Sequence, residues 1–341
     1  MVNHPLLEPI RDLHRSIRDR VLAASELQGI DALSTVAKDH DGDTLFAIDA
    51  ISDVVLVEEL EPIARLHGGI VLVGEGIDAG KLTLPRETQE HSCRYRIIVD
   101  PIDGTRGLMY QKRPAWILTG VAPNRGDATR LSDIELSVQT EIPLLKQHLS
   151  DELWAVRGQG AHAERFNRLT AERTPFLLRP SKKTNVEQGF ASVTRFFPGA
   201  RDVLAAIDDE LMRQLVGVAA RGKALCFEDQ YASTGGQLYE LMAGHDRFIA
   251  DLRPLLSSIM QKRGFPLGLC CHPYDIATAL IAEEAGILLR DPWGNALDYP
   301  LQVEPDVAWV GYANPAIERR IAPLLRDILE QHGLTSIAAT R

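Results

Sequence analysis

Asp100 and Asp103 stand three positions apart in the stretch from Arg94 to Thr105, which reads Arg-Tyr-Arg-Ile-Ile-Val-Asp-Pro-Ile-Asp-Gly-Thr. Ile97, Ile98 and Val99 predict a short buried strand. Pro101 has no N–H for a sheet ladder, so the strand is expected to end directly after Asp100. The two carboxylates then lie at a strand's carboxyl end, where α/β and α+β sheets usually keep their chemistry. Held so close, they repel each other unless a proton or a cation lies between them. Mg2+ suits the place, since it takes oxygen ligands and leaves room for water and a phosphate oxygen. Read alone, the stretch is equally an ordinary turn, because Asp-Pro and Asp-Gly are common turn dipeptides.

Other acids fall at the ends of predicted elements. Asp49 lies just ahead of an apolar-periodic segment through Ile51 and Val55 that ends near Gly68-Gly69; a carboxylate there also simply favours a helix start. Ile70 to Val73 reads as a buried strand running into Gly74-Glu75-Gly76, whose glycines let the backbone bend and bring Glu75 close to other groups. Phe248 to Asp251 is a strand ending in an acid, and Asp275 is placed at the start of a helix that ends at Gly286. Thr234-Gly235, after Ser233, opens a helix reaching about Met242, a ready site for an anion or hydroxyl.

The scaffold around them follows from periodicity. Leu6, Ile10, Leu13, Ile17 and Val21 predict a first helix. Strands are expected at 116–121, 134–140 and 152–156, the last opening a hairpin through Gly158-Gln159-Gly160. Further strands are expected at 190–193 and 224–227, with an amphipathic helix through Val203 to Leu215 and a last helix bracketed by Asn314-Pro315 and Gly333. Residues 252–272 fit no element and read as a lid or dimer loop. The polar stretch around 173–183, broken by Pro175 and Pro180, marks a boundary between an N-terminal α+β domain at 1–178 and a C-terminal α/β domain at 179–341. At 341 residues the chain exceeds the roughly 250–300 at which one core stops growing.

A net charge of −10 argues against a nucleic-acid partner, though not against a small phosphate ester held through cations. No apolar run approaches the roughly 20 residues of a membrane span, and the N-terminus has no signal pattern. The four cysteines show no C-x-x-C spacing, which fits reduced thiols in the cytoplasm.

The order Asp49, Glu75, Asp100/Asp103, Asp275 resembles the inositol monophosphatase family of magnesium-dependent, lithium-sensitive phosphatases. The similarity is carried by Asp-Pro-Ile-Asp-Gly-Thr (100–105), Val73-Gly74-Glu75, Tyr274-Asp275-Ile276-Ala277-Thr278-Ala279, and Ala285-Gly286 followed by Asp291-Pro292-Trp293-Gly294. It spans about Lys38 to Leu301. The resemblance implies a layered α-β-α-β-α sandwich of α/β class with α+β character, its N-terminal half on an antiparallel sheet and its C-terminal half on a mixed one. It also implies two or three Mg2+ ions, a small phosphorylated metabolite as partner and a homodimer. By the same resemblance Glu75, Asp100, Asp103, Asp275 and the Ile102 carbonyl ligate the metals. Asp49 and Thr105 activate water, the amides of Gly104 and Thr105 receive the phosphate, and Thr234, Gly235 and Asp251 approach the substrate.

The chain departs from the family pattern in places. Gly76 replaces a second glutamate, which weakens any third metal, and Arg106-Gly107 stand where Thr-Asn is common. Tyr274 replaces a tryptophan, and 23 residues separate Asp251 from Asp275. An inositol or similar polyol or sugar phosphate is the expected substrate, with fructose 1,6-bisphosphate and nucleotide 3′-phosphates as alternatives. A catalytically weak phosphate-binding or regulatory relative is the alternative of another class. A haloacid-dehalogenase phosphatase is rejected, because that chemistry needs Asp-x-Asp and this chain has Asp-x-x-Asp.

Overall fold

The computed structural model describes residues 4–27, 36–39 and 44–334; the side chains of residues 36–39, 44–53 and 78 lie outside that range. Leu6, Ile10, Leu13, Ile17 and Val21, spaced for one helical face, are buried along α1 (Leu7–Leu27). They meet Val55, Leu56, Leu60 and Ala64 of α2 (Ala47–His67), which follows the small ribbon of β1 (Val36–Asp39) and β2 (Thr44–Phe46).

Both helices cover one face of an eight-stranded sheet. Its strands are β3 (Ile70–Gly74), β4 (Lys81–Leu84), β5 (Tyr95–Asp103), β6 (Ala115–Pro123), β7 (Leu136–Ile142), β8 (Leu149–Val156), β9 (Ala161–Asn167) and β10 (Arg173–Phe176), in the order β10-β9-β8-β7-β6-β5-β3-β4. Alternation divides each central strand: Ile97 and Val99 of β5 and Ile117 and Val121 of β6 face the helices, whereas Ile98, Trp116 and Leu118 face the opposite way. Covering on both faces explains why these strands read as continuous apolar runs.

The second face packs on α5 (Thr234–Met242) and α7 (Ala279–Glu284), through Leu238, Leu241, Leu280 and Ile281. Beyond them lies a four-stranded sheet, β11 (Phe190–Val193), β12 (Asp246–Asp251), β14 (Trp309–Tyr312) and β13 (Leu288–Arg290), in that order. It contributes Ile249, Leu289 and Trp309 to the same core. Its outer face is closed by α4 (Arg201–Val216) and α8 (Pro315–Gln331) through Leu204, Leu211, Ile321 and Leu325. The architecture is the α-β-α-β-α sandwich expected. No described helix is long and apolar enough to cross a membrane.

Several local expectations are revised. The larger sheet is antiparallel except for the parallel β3–β5 pair, and β11–β12 is also parallel, so both sheets are mixed. Arg173–Phe176, at the start of the polar 173–183 stretch for which no strand is expected, is the edge strand β10, where Pro175 leaves no ladder bond unmade on the outer side. Residues 224–227 form no strand and reach β11 only through the bridge of Phe227 to Phe190. Within 252–272 lie a 3-10 turn at Arg253–Leu256 and α6 (Ser257–Lys262). Asn314 caps α8 as expected, accepting from the amides of Ala316 and Ile317.

One buried acid makes the scaffold pH-dependent. Glu141 on β7 accepts from Gln147 Nε2 at 2.7 Å and from the Asp151 amide at 3.0 Å. Burial nevertheless pushes its carboxyl from about 4.5 up to about 7. The folded chain therefore keeps a proton that the unfolded chain loses between those values, and stability falls as pH rises through that window. At 1.36 kcal/mol per pH unit the gap amounts to about 3 kcal/mol. Glu141→Gln should gain on the parent protein by up to that amount between pH 4.5 and 8 in urea melts. Parallel pH profiles for the two proteins would contradict it.

Candidate metal centre

Strand β5 does not stop at Asp100. Its ladder pairs Asp100 with Leu118 and Asp103 with Trp116, so three steps on β5 match two on β6. That is a β-bulge of one residue, and Pro101, at its start, has no ladder donor to lose. Residues i and i+3 of a regular strand face opposite ways; the extra residue returns both aspartates to the side of Trp116 and Leu118. Ile102 is left pointing to the helix-covered face. The Asp100 carboxylate accepts from the Ile102 amide at 3.0 Å, closing the bend, and Gly104, ahead of the short α3 (Thr105–Met109), follows at φ +93, a left-handed conformation that side chains rarely adopt.

Asp275 arrives from the other side of the cleft. It does not open a helix as expected: its carboxylate accepts from the His272 amide at 2.6 Å, and α7 begins only at Ala279. A side chain bonded back to its own preceding backbone makes a local turn instead of a cap. Asp100, Asp103 and Asp275 each place a carboxylate oxygen so that all three lie within 4.8 Å of one another. Glu75, Ile102, Gly104, Thr105, Ser233 and Thr234 line the same cleft. Thr105 donates its hydroxyl to the Ile102 carbonyl at 2.8 Å. Asp49 falls in the first turn of α2, but its side chain is outside the described residues.

Asp103 is gripped by the opening of α5. One of its oxygens accepts from Ser233 Oγ at 2.7 Å and from the Gly235 amide at 2.6 Å. Ser233 Oγ in turn accepts from the Gly236 amide, as a helix cap does. A Cβ on Gly235 would stand 2.5 Å from Leu118 and 3.0 Å from the Asp103 carboxylate, so only glycine fits. Gly235, expected at the substrate, instead orients a carboxylate. Ser233 went unrecognised from sequence in this role, although serine ahead of Thr-Gly-Gly is an N-cap signal.

Asp251 also differs from expectation. It is fully buried, and Arg253 donates to it from Nε, at 2.9 and 3.1 Å to the two oxygens, and from Nη2 at 2.5 Å. Arg253 lines the cleft, while Asp251 sits behind it. Arg263, just after α6, is turned away to the surface, where it pairs with Asp202.

The donor set fits a hard divalent cation. Burial first, and the Asp275 charge second, push the Asp103 carboxyl up to about 7, against the pull of Ser233 and the α5 amides. Three carboxylates this close, one of them driven toward its neutral form, are what a cation with oxygen ligands would relieve.

This arrangement of layers is the inositol monophosphatase fold. Among solved structures, the chain resembles a protein described as an inositol monophosphatase–fructose 1,6-bisphosphatase, with a TM-score of 0.62 at 18% identity over 93% of this chain and 98% of that one. It is similar to the extragenic suppressor protein suhB of Bartonella henselae, with a TM-score of 0.63 at 16% identity over 95% and 99%. It is likewise similar to the fructose-1,6-bisphosphatase of Leishmania major, with a TM-score of 0.64 at 14% identity over 94% and 93%. At these identities the likeness is one of fold. No protein-family model and no curated protein matches the sequence.

Proposed function

We propose that the protein is a magnesium-dependent phosphomonoesterase acting on a small phosphorylated metabolite. The observation that carries this reading is the convergence of Asp100, Asp103 and Asp275 across the cleft. These three, with Glu75 and the Ile102 carbonyl, would hold two or three Mg2+ ions. Bound there, the metal would supply an acidified water and compensate charge on the phosphate oxygens.

The chain's own groups do the positioning. Ser233 and the Gly235 amide fix the Asp103 rotamer, and the His272 amide fixes that of Asp275. Such preorganisation matters because a phosphate monoester reacts through charge that must be met without rearrangement. Thr105, beside the Ile102 carbonyl, would accept from the attacking water and, with Asp49, set its direction. The amides of Gly104 and Thr105 would receive the phosphate, with Thr234 facing the ester.

Purified protein incubated with a panel of inositol phosphates, sugar bisphosphates and adenosine 3′,5′-bisphosphate should release phosphate only when Mg2+ is present, and Li+ should suppress the release. With Gly76 in place of a second acid, the dependence on metal concentration should be shallow. Full turnover in excess EDTA, or no release from any member of the panel, would overturn this reading.

A further inference from the structure

The structure assigns Phe196 and Phe197 as specificity-determining residues that select phosphate esters whose leaving group presents a flat apolar face. This rests on the phosphomonoesterase reading and departs from the polyol expectation. Both residues lie in the loop after β11, half-buried, and both line the cleft that holds Asp100 and Asp275. Their rings meet edge to face at 4.7 Å.

Arg253 holds the pair in place. Its guanidinium carbon lies 4.7 Å from the Phe196 ring centroid and 5.3 Å from that of Phe197. Its Nε and Nη2 donate to Asp251, and its Nη1 donates to the Leu269 carbonyl at 2.8 Å. Arg253 is thus built as a support for the rings. The rings are preorganised, which lowers the entropy a ligand gives up on meeting them.

The same construction disfavours a polyol. Asp251, expected near the substrate, has both oxygens turned to Arg253 behind the wall and offers no acceptor to a hydroxyl on that side. The wall continues through Leu269 and Cys270, and Cys270 directs its thiol to the Gly268 carbonyl. Hydroxyls laid against it would lose water without replacement. An aromatic or similarly flat group would bury its face and meet the rings favourably.

Benzylphosphonate and methylphosphonate share a head group and cannot be hydrolysed, so calorimetry with Mg2+ present isolates the wall. Benzylphosphonate should bind at least tenfold tighter, and the Phe196→Ala/Phe197→Ala double variant should bring the ratio of the two Kd values close to one. In turnover, benzyl phosphate and inositol 1-phosphate are both esters of aliphatic alcohols. The double variant should therefore collapse the ratio of their KM values while the kcat ratio stays within a few-fold. Should the alanine pair fail to fold, Phe196→Leu/Phe197→Leu keeps the packing and should lower the Kd ratio severalfold. Equal Kd values in the parent, or a ratio that these variants leave intact, would overturn the proposal. If neither these esters nor any member of the wider panel releases phosphate, the phosphomonoesterase reading falls, while the Kd ratio still decides the role of the phenylalanines.

Discussion

Asp275→Asn should leave the fold intact and lower magnesium-saturated turnover on the order of 10³. The asparagine carbonyl can still accept from the His272 amide, so the turn ahead of α7 keeps its closing bond. It also removes a charge that repels Asp103, and melting in excess EDTA should therefore be unchanged or shifted upward. What the variant loses is a negative charge facing Asp100 and Asp103 across the cleft. Losing several kcal/mol of transition-state stabilisation corresponds to a rate drop of about that size. The kcat and the melting temperature should be taken on one preparation. Turnover within a few-fold of the parent protein would remove Asp275 from the ligand set.

The second large effect is on stability. Asp251→Ala should destabilise the protein by about 3–5 kcal/mol, because it leaves the Arg253 guanidinium buried without its counter-charge. Burial works against that charge, and Asp251 holds the guanidinium well above its ordinary value. The effect thus belongs to the pair. Replacing both partners, as in Asp251→Leu/Arg253→Met, should recover much of the loss, since a well-packed apolar pair needs no compensation. Urea melts of the two single variants and the double variant decide the matter. Additive losses would mean that the two side chains act independently.

How far the sequence could be read depended on whether a signal was local. Asp-Pro-Ile-Asp-Gly-Thr was legible because residue type and spacing alone implied paired carboxylates; apolar periodicity placed single helices and strands, whereas the layer order came only with the family resemblance that those motifs carry. The course of β5 was not legible: proline reads as a strand end unless the partner strand is known, and only the β6 pairing reveals a bulge. The edge strand β10 was hidden by the same proline rule. Asp275 looked like a helix cap because an acid ahead of Ala-Thr-Ala-Leu has the composition of one; its bond to the His272 amide is decided by the turn geometry. Asp251 and Arg253 are two residues apart, yet nothing local says that one would close off the other. That depended on how the turn after β12 folds back.

The bulge in β5 has a consequence for how this chain can change. Elsewhere in the larger sheet, exchanging one apolar residue for another alters volume and little else. Between Asp100 and Asp103 the number of residues matters as much as their kind. Removing Pro101 or Ile102 would restore a regular ladder with β6 and turn one carboxylate through the sheet, into the apolar layer against α1 and α2. Adding one residue would do the same from the other side. At its middle positions the segment can exchange one apolar residue for another of like volume, as the rest of the sheet can, but it is closed to insertion and deletion, and its length is constrained as tightly as its composition.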